Sequence, residues 1–116
     1  MRWVLAIVPI AIGCGGYTIP QETVNAPRVA IASAEGSGAE RTPTAARRLE
    51  LARGELATAN KLAKQGKTRR ADLVYQRAEA DARVAQAVAL DSTVSAQARA
   101  IDEQISALRG ALPESP

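Results

Sequence analysis

The chain carries a single thiol, Cys14, and no histidine. A lone cysteine cannot close an intramolecular disulfide, and without a second thiol or an imidazole it cannot anchor a metal cluster. Catalysis would have to come from carboxylates and lysines held close together. Nothing in their spacing brings them together. Asp72, Glu79 and Asp81 fall on one stretch with basic residues at helical spacing, as Arg69 is to Asp72, which is the pattern of a solvated face. Gly15-Gly16 and Gly36-Ser37-Gly38 follow no strand and precede no phosphate-binding lysine, so they read as linkers. The expectation is no catalytic residue, no metal, no cofactor and no enzyme.

One charge cluster stands out. Lys61, Lys64, Lys67, Arg69 and Arg70 occur with no acid between Glu55 and Asp72. Lys61 and Lys64 compensate the negative end of the helix that stops there, and the rest can simply be solvated. Arg69 and Arg70 sit at the positive end of the next helix, where cations are unfavourable, so the five are also candidates for an anionic contact with lipid phosphate or an acidic partner. Nucleic acid is not expected: the charge is only +3, basic and acidic residues are interspersed, and the body offers little beyond Tyr75 to stack on a base.

The elements that position these groups are helices. Ala45, Leu49, Ala52, Leu56, Ala59 and Ala63 recur in alternating steps of four and three, and Ala71, Val74, Ala78, Ala82, Ala85 and Ala89 form a second stripe. Between them, Gly66 can adopt the left-handed conformation that ends a helix and Thr68 can cap the next. Thr42 and Pro43 suit the cap and first position of the first arm. No Gly or Pro interrupts Thr68 to Arg109, although Asp91 to Ser95 is a weak helical patch at which the helix can bend or fold back. Beyond it Val94, Ala98, Ile101, Ile105 and Leu108 resume a heptad seam, a candidate helix–helix interface.

The fold expectation is all-α: a short helix plus a long antiparallel, coiled-coil-like helical hairpin whose second arm extends toward the C-terminus. The helices fall at about 26–35, 43–65 and 69–109 within a domain spanning 26–110, followed by a loose tail at 111–116. Asn25 or Ala26 is expected to cap the short helix, with Pro27 in its first turn and residues 14–25 a flexible tether. With 25 Ala and no Phe among 116 residues, the core must be thin. The second arm overshoots the first, so the short helix covers about half of the C-terminal seam and the rest invites a partner or self-association. Tyr75 is expected at the core edge with its hydroxyl in water. The face around it is the alternative functional surface, a small peptide- or lipid-binding module.

The N-terminus has the form of an export signal. Arg2 is followed by the ten apolar residues Trp3 to Ile12, half of what a membrane-spanning helix needs, and then by Gly13. Ala11-Ile12-Gly13-Cys14 resembles the lipobox of bacterial lipoproteins, which implies cleavage after residue 13 and lipid attachment at Cys14. Gly15 in place of Asp at the next position implies the outer membrane, facing the periplasm. Gly66, Ala71, Tyr75 and Ala78, with Ala59 and Leu62, are locally similar to a tetratricopeptide repeat, but no second copy exists. From Pro20 to Leu90 the chain resembles a family of small bacterial envelope lipoproteins defined by an Ala-rich helical-hairpin domain of unknown function. The resemblance implies a lipid-anchored structural or adaptor protein whose partners are the membrane, through Cys14, and another envelope component.

Overall fold

The structure, a computed structural model, describes residues 16–113. Cys14 and the leader lie outside the described residues. Within them the chain is all-α: α1 (Gln21–Gly36), a 3₁₀ turn (Ala39–Arg41), α2 (Pro43–Lys64) and α3 (Thr68–Ala111). No helix among the described residues is long and apolar enough to cross a membrane.

α2 and α3 form the hairpin, and Gly66 turns it. At φ 76° Gly66 is left-handed; its N–H donates to the Ala63 carbonyl at 3.1 Å, and the Lys67 N–H to the Leu62 carbonyl at 3.0 Å. These paired bonds are the Schellman closure, which satisfies the last carbonyls of α2 within the turn. The seams then meet as the periodicity requires. Ala45, Leu49, Ala52 and Ala59 of α2 are buried against Ala71, Ala78, Ala82, Ala85 and Ala89 of α3, while Leu56, Ala63 and Val74 are half-buried at the flanks. Pro43 occupies the first turn of α2 after Thr42, whose side chain makes no capping bond. Thr68 does not cap α3 either: it is the first helical residue, and Lys67 takes the cap position.

α1 departs from expectation. It begins at Gln21, five residues before the expected start, so residues 21–25 are helix rather than tether and Pro27 lies inside the helix. An interior proline costs roughly 3 kcal/mol. Packing offsets that cost: Pro27 is among the largest fully buried side chains, and upstream Ile19 and Val24 pack beside Ala59, Ala71 and Tyr75. The other end of α1, through Ala30, Ile31 and Ala34, joins a cluster with Ala45, Leu49, Ala52 and Ala89. α1 is thus antiparallel to α2, parallel to α3, and seated on the hairpin. It leaves the C-terminal seam uncovered.

Arg53 ties that end of the bundle together. Its guanidinium reaches Glu35 of α1 at 2.6 Å, Glu40 of the 3₁₀ turn at 2.8 Å and Glu50 of its own helix at 2.5 Å. The three carboxylates hold its proton more tightly than usual, through the hydrogen bonds to Glu40, Glu35 and Glu50 in that order.

α3 continues without interruption through Asp91–Ser95, where the Thr93 hydroxyl donates back to the Ala89 carbonyl at 3.0 Å. It also passes through Gly110, just beyond the expected end at 109. The stop is Pro113, which forces the preceding Leu112 into extended backbone, φ −73° and ψ 132°.

Two glycines test this architecture in opposite directions. Beyond the adjoining backbone, nothing lies within 4 Å of where a Cβ would stand at Gly66 or Gly54, so backbone preference decides each substitution. Gly66→Val should destabilise the bundle by roughly 1 kcal/mol or more, because a β-branched residue is strained at positive φ. Gly54→Ala, in the middle of α2, should stabilise it by about 0.5–1 kcal/mol. Chemical denaturation of the two variants beside wild type reads both signs.

Candidate functional site

Two exposed regions of the molecule stand out, one at each end. The first is the C-terminal part of α3. α2 has 22 residues and α3 has 44, so α3 runs about 66 Å while its partner spans about 33 Å. From Leu90 onward α3 leaves the bundle as a single helical arm. Every residue from 96 to 113 is exposed. Val94 is 62 %, Ile101 54 %, Ile105 41 % and Leu108 68 % exposed, and Ala98 lies between them on the same stripe. α3 is unbroken at Asp91-Ser92, so the fold-back that this weak helical patch left open does not occur.

The stripe is longer than the seam read from sequence. Leu73, Ala80, Val84 and Ala87 precede Val94 at the same alternation of four and three, with Arg77 and Asp91 as the polar interruptions, and all six are exposed. The face turned away from α1 and α2 within the bundle therefore continues onto the arm. The burial of Ala71, Ala78, Ala82, Ala85 and Ala89 draws the eye to the opposite side of the helix. The residues at spacing 73, 80, 84 and 87 were nevertheless the signal that could have revealed it.

The second region is the turn. Lys61, Lys64, Lys67, Arg69 and Arg70 are all exposed there, and none forms an ion pair among the described residues. Gly66 to Arg70 line a shallow depression of about 310 Å³ together with Tyr17. No side chain caps the start of α3. The N–H groups of Thr68, Arg69 and Arg70, three of the residues that line this depression, have no acceptor within the helix, as at any helix start. Tyr17, which lies in the stretch expected to be tether, donates its hydroxyl to Asp72 at 2.6 Å and fastens the incoming chain to the turn. That hydrogen bond, with burial and the Asp72 charge adding to it, raises the Tyr17 phenol above its ordinary range. An aromatic residue in an otherwise Gly-rich segment was the available hint.

Tyr75 is not an open face. Its ring is 2 % exposed within the Ala59–Ala71 cluster, and its hydroxyl donates to the Asn60 Oδ1 at 2.7 Å instead of reaching water. The ring fills the volume that small alanines leave between three helices near the turn. The remaining carboxylates read from sequence also have structural partners: Glu79 binds Arg83 one turn away, and Asp81 binds Arg48 across the hairpin at 3.0 Å.

Glu55 and Asp81 meet across the α2–α3 seam. Their side chains are 21 % and 16 % exposed, and the Glu55 Oε2 is buried without a hydrogen-bond partner. Burial first, then the hydrogen bond that the protonated form can give to Asp81, and the Asp81 charge, push the Glu55 carboxyl above the usual range; Arg77, 3.8 Å away and largely solvated, opposes this weakly. Among the described residues no group of three or more His, Cys, Asp or Glu is placed to hold a metal. Comparison with protein-family models, with curated proteins and with solved structures found no match.

The Glu55 pair makes a pH prediction. With the native carboxyl raised above its unfolded value, the folded chain holds more proton than the unfolded one between the two, so stability falls as pH rises through that window. Glu55→Gln removes the ionisation. Its melting temperature should exceed that of wild type at pH 7, with the gap narrowing as pH falls through the carboxylate range and Glu55 becomes protonated in both states. Thermal melts of both proteins from pH 4 to 8 check the convergence.

Proposed function

We propose that this chain is a lipid-anchored cell-envelope protein, exported by its leader, attached through Cys14 and facing the periplasm from the outer membrane. Its helical hairpin acts as a structural or adaptor element and not as an enzyme. The observation that carries the adaptor role is the arm. A single helix about 30 Å long, from Leu90 to Ala111, stands clear of the bundle with Val94, Ile101, Ile105 and Leu108 in solvent on one stripe. Isolated exposed apolar residues are ordinary, but a heptad row of them on one helix is what a partner helix packs against. The Ala-rich bundle supplies the support: α1 braces the hairpin, and the arm leaves it as a continuation of a fixed helix. The anchor rests on the lipobox-like Ala11-Ile12-Gly13-Cys14, and the charge balance of the described body provides no rival attachment of comparable strength.

The stripe is tested on the full chain extracted in mild detergent. Ile101→Asp with Ile105→Asp should lower capture of an envelope partner, or self-association in sedimentation, at least tenfold. Ala100→Asp with Ala107→Asp, the same chemistry on the far side of the arm, should leave both unchanged. A wild type that is monomeric at high concentration and captures nothing at Val94 when a photo-reactive side chain is placed there would refute the adaptor role. Equal loss in both double variants would also refute it, since helix destabilisation and not the stripe would then be responsible.

A further inference from the structure

Resting on the lipid-anchored reading above, we infer that the basic turn is a phospholipid-headgroup contact that stands the bundle upright on an anionic bilayer, with the arm pointing away from it. Three observations converge on the turn. The first is charge without partners: Lys61, Lys64, Lys67, Arg69 and Arg70 surround Gly66, all exposed, with no ion pair among the described residues. The second is hydrogen-bonding capacity. The start of α3 has no capping side chain and no acid in its first turn, so the N–H groups of Thr68, Arg69 and Arg70 have no acceptor, and these residues line the depression with Tyr17, Gly66 and Lys67 at the positive end of the helix. A phosphate there would meet backbone donors and guanidinium forks together, and would relieve the placement of Arg69 and Arg70 at the wrong end of the helix dipole.

The third observation selects the source of the phosphate. The Tyr17 hydroxyl is bonded to Asp72 at 2.6 Å, which fixes the entering chain beside the turn. Cys14 lies three residues before Tyr17, and three peptide units span at most about 11 Å. A lipid on Cys14 therefore brings the turn within reach of the headgroup layer, whose thickness is roughly 5–8 Å per leaflet. Acyl chain and basic patch then act at one end of the molecule, the two-signal arrangement that makes membrane attachment firm. At the same time α3 carries Ser106 about 57 Å from Thr68 along its axis.

The experiment uses the lipidated full chain in vesicles of phosphatidylcholine, with and without phosphatidylglycerol. A fluorescent label is placed on Gln65→Cys or, separately, on Ser106→Cys, with a headgroup-borne quencher. Flotation on the neutral vesicles reads the anchor, and its loss would indict attachment at Cys14 while the anionic vesicles still decide the turn. The label at Gln65 should be quenched several-fold more on anionic than on neutral vesicles, losing that difference at high salt, and the label at Ser106 should be quenched on neither. Lys64→Glu, Lys67→Glu and Arg70→Glu together should abolish the anionic preference without preventing flotation. Equal quenching at Gln65 on both vesicle types, unaffected by charge reversal, would overturn the headgroup contact in favour of another occupant. Strong quenching at Ser106 would overturn the upright orientation. A response at Gln65 to soluble inorganic phosphate as large as that to anionic vesicles would show a free-anion site and overturn the assignment to lipid.

Discussion

The register between α2 and α3 is the constraint on which the rest of this molecule depends. Nearly every residue in the seam is alanine, and each buried methyl contributes only about 0.8 kcal/mol. Such a seam is worth burying only when the helix backbones approach closely over its whole length, which happens in one register. The Schellman closure at Gly66 sets it by fixing where α2 stops and where α3 begins. From that point Ala59 lies near Ala71 and Tyr75, and Ala45 near the level of Ala89, so the small residues meet small residues from one end to the other.

The thinness of that seam explains why α1 is as long as it is. Leu49 is the one large aliphatic side chain fully buried in the hairpin, and Tyr75 the one buried aromatic. Both are covered only when a third helix lies across them. Starting at Gln21 lets α1 bring Ile19 and Val24 to Tyr75 as well as Ile31 and Ala34 to the other cluster, and the interior Pro27 is tolerated because its ring fills core volume. The Arg53 fork then holds the corner where α1, the 3₁₀ turn and α2 come together.

The unequal lengths of the two arms follow from where the stop signals stand. α2 is bounded by Pro43 and Gly66, whereas α3 meets nothing that ends it until Pro113. The surplus of α3 becomes the arm, and the chain enters at the opposite end beside Tyr17 and the lysines. The two ends of the molecule therefore differ in chemistry: a cationic end to which Tyr17 is fastened, and an apolar helical stripe whose arm portion, Val94 to Leu108, lies about 40–60 Å away along α3. Between these ends the Glu55–Asp81 pair is a local weakness, two carboxyls set against each other beside a seam of small apolar residues.

Much of the architecture was legible in the order of residues because it is local physics. Alternating steps of four and three announce a helix seam, Gly between two such seams announces a turn, and Thr-Pro announces a helix start; each signal acts within a few residues of itself. The all-α hairpin, the buried alanines and the overshoot of α3 follow from those signals alone. What tertiary structure decided was everything for which a distant surface competes with a local preference. Pro27 signals a helix start, but burial of Val24 and Ile19 against α3 moves that start upstream. Tyr75 can keep its hydroxyl in water at a core edge, yet the alanines around it leave a volume that its ring fills, and Asn60 takes the hydroxyl. Gly110 weakens a helix without ending it, and Pro113, which excludes helical backbone from its predecessor, ends it instead. Tyr17 with Asp72 and Glu55 with Asp81 are 55 and 26 residues apart in the chain, so no spacing rule links them; only the stacking of three helices brings each pair together.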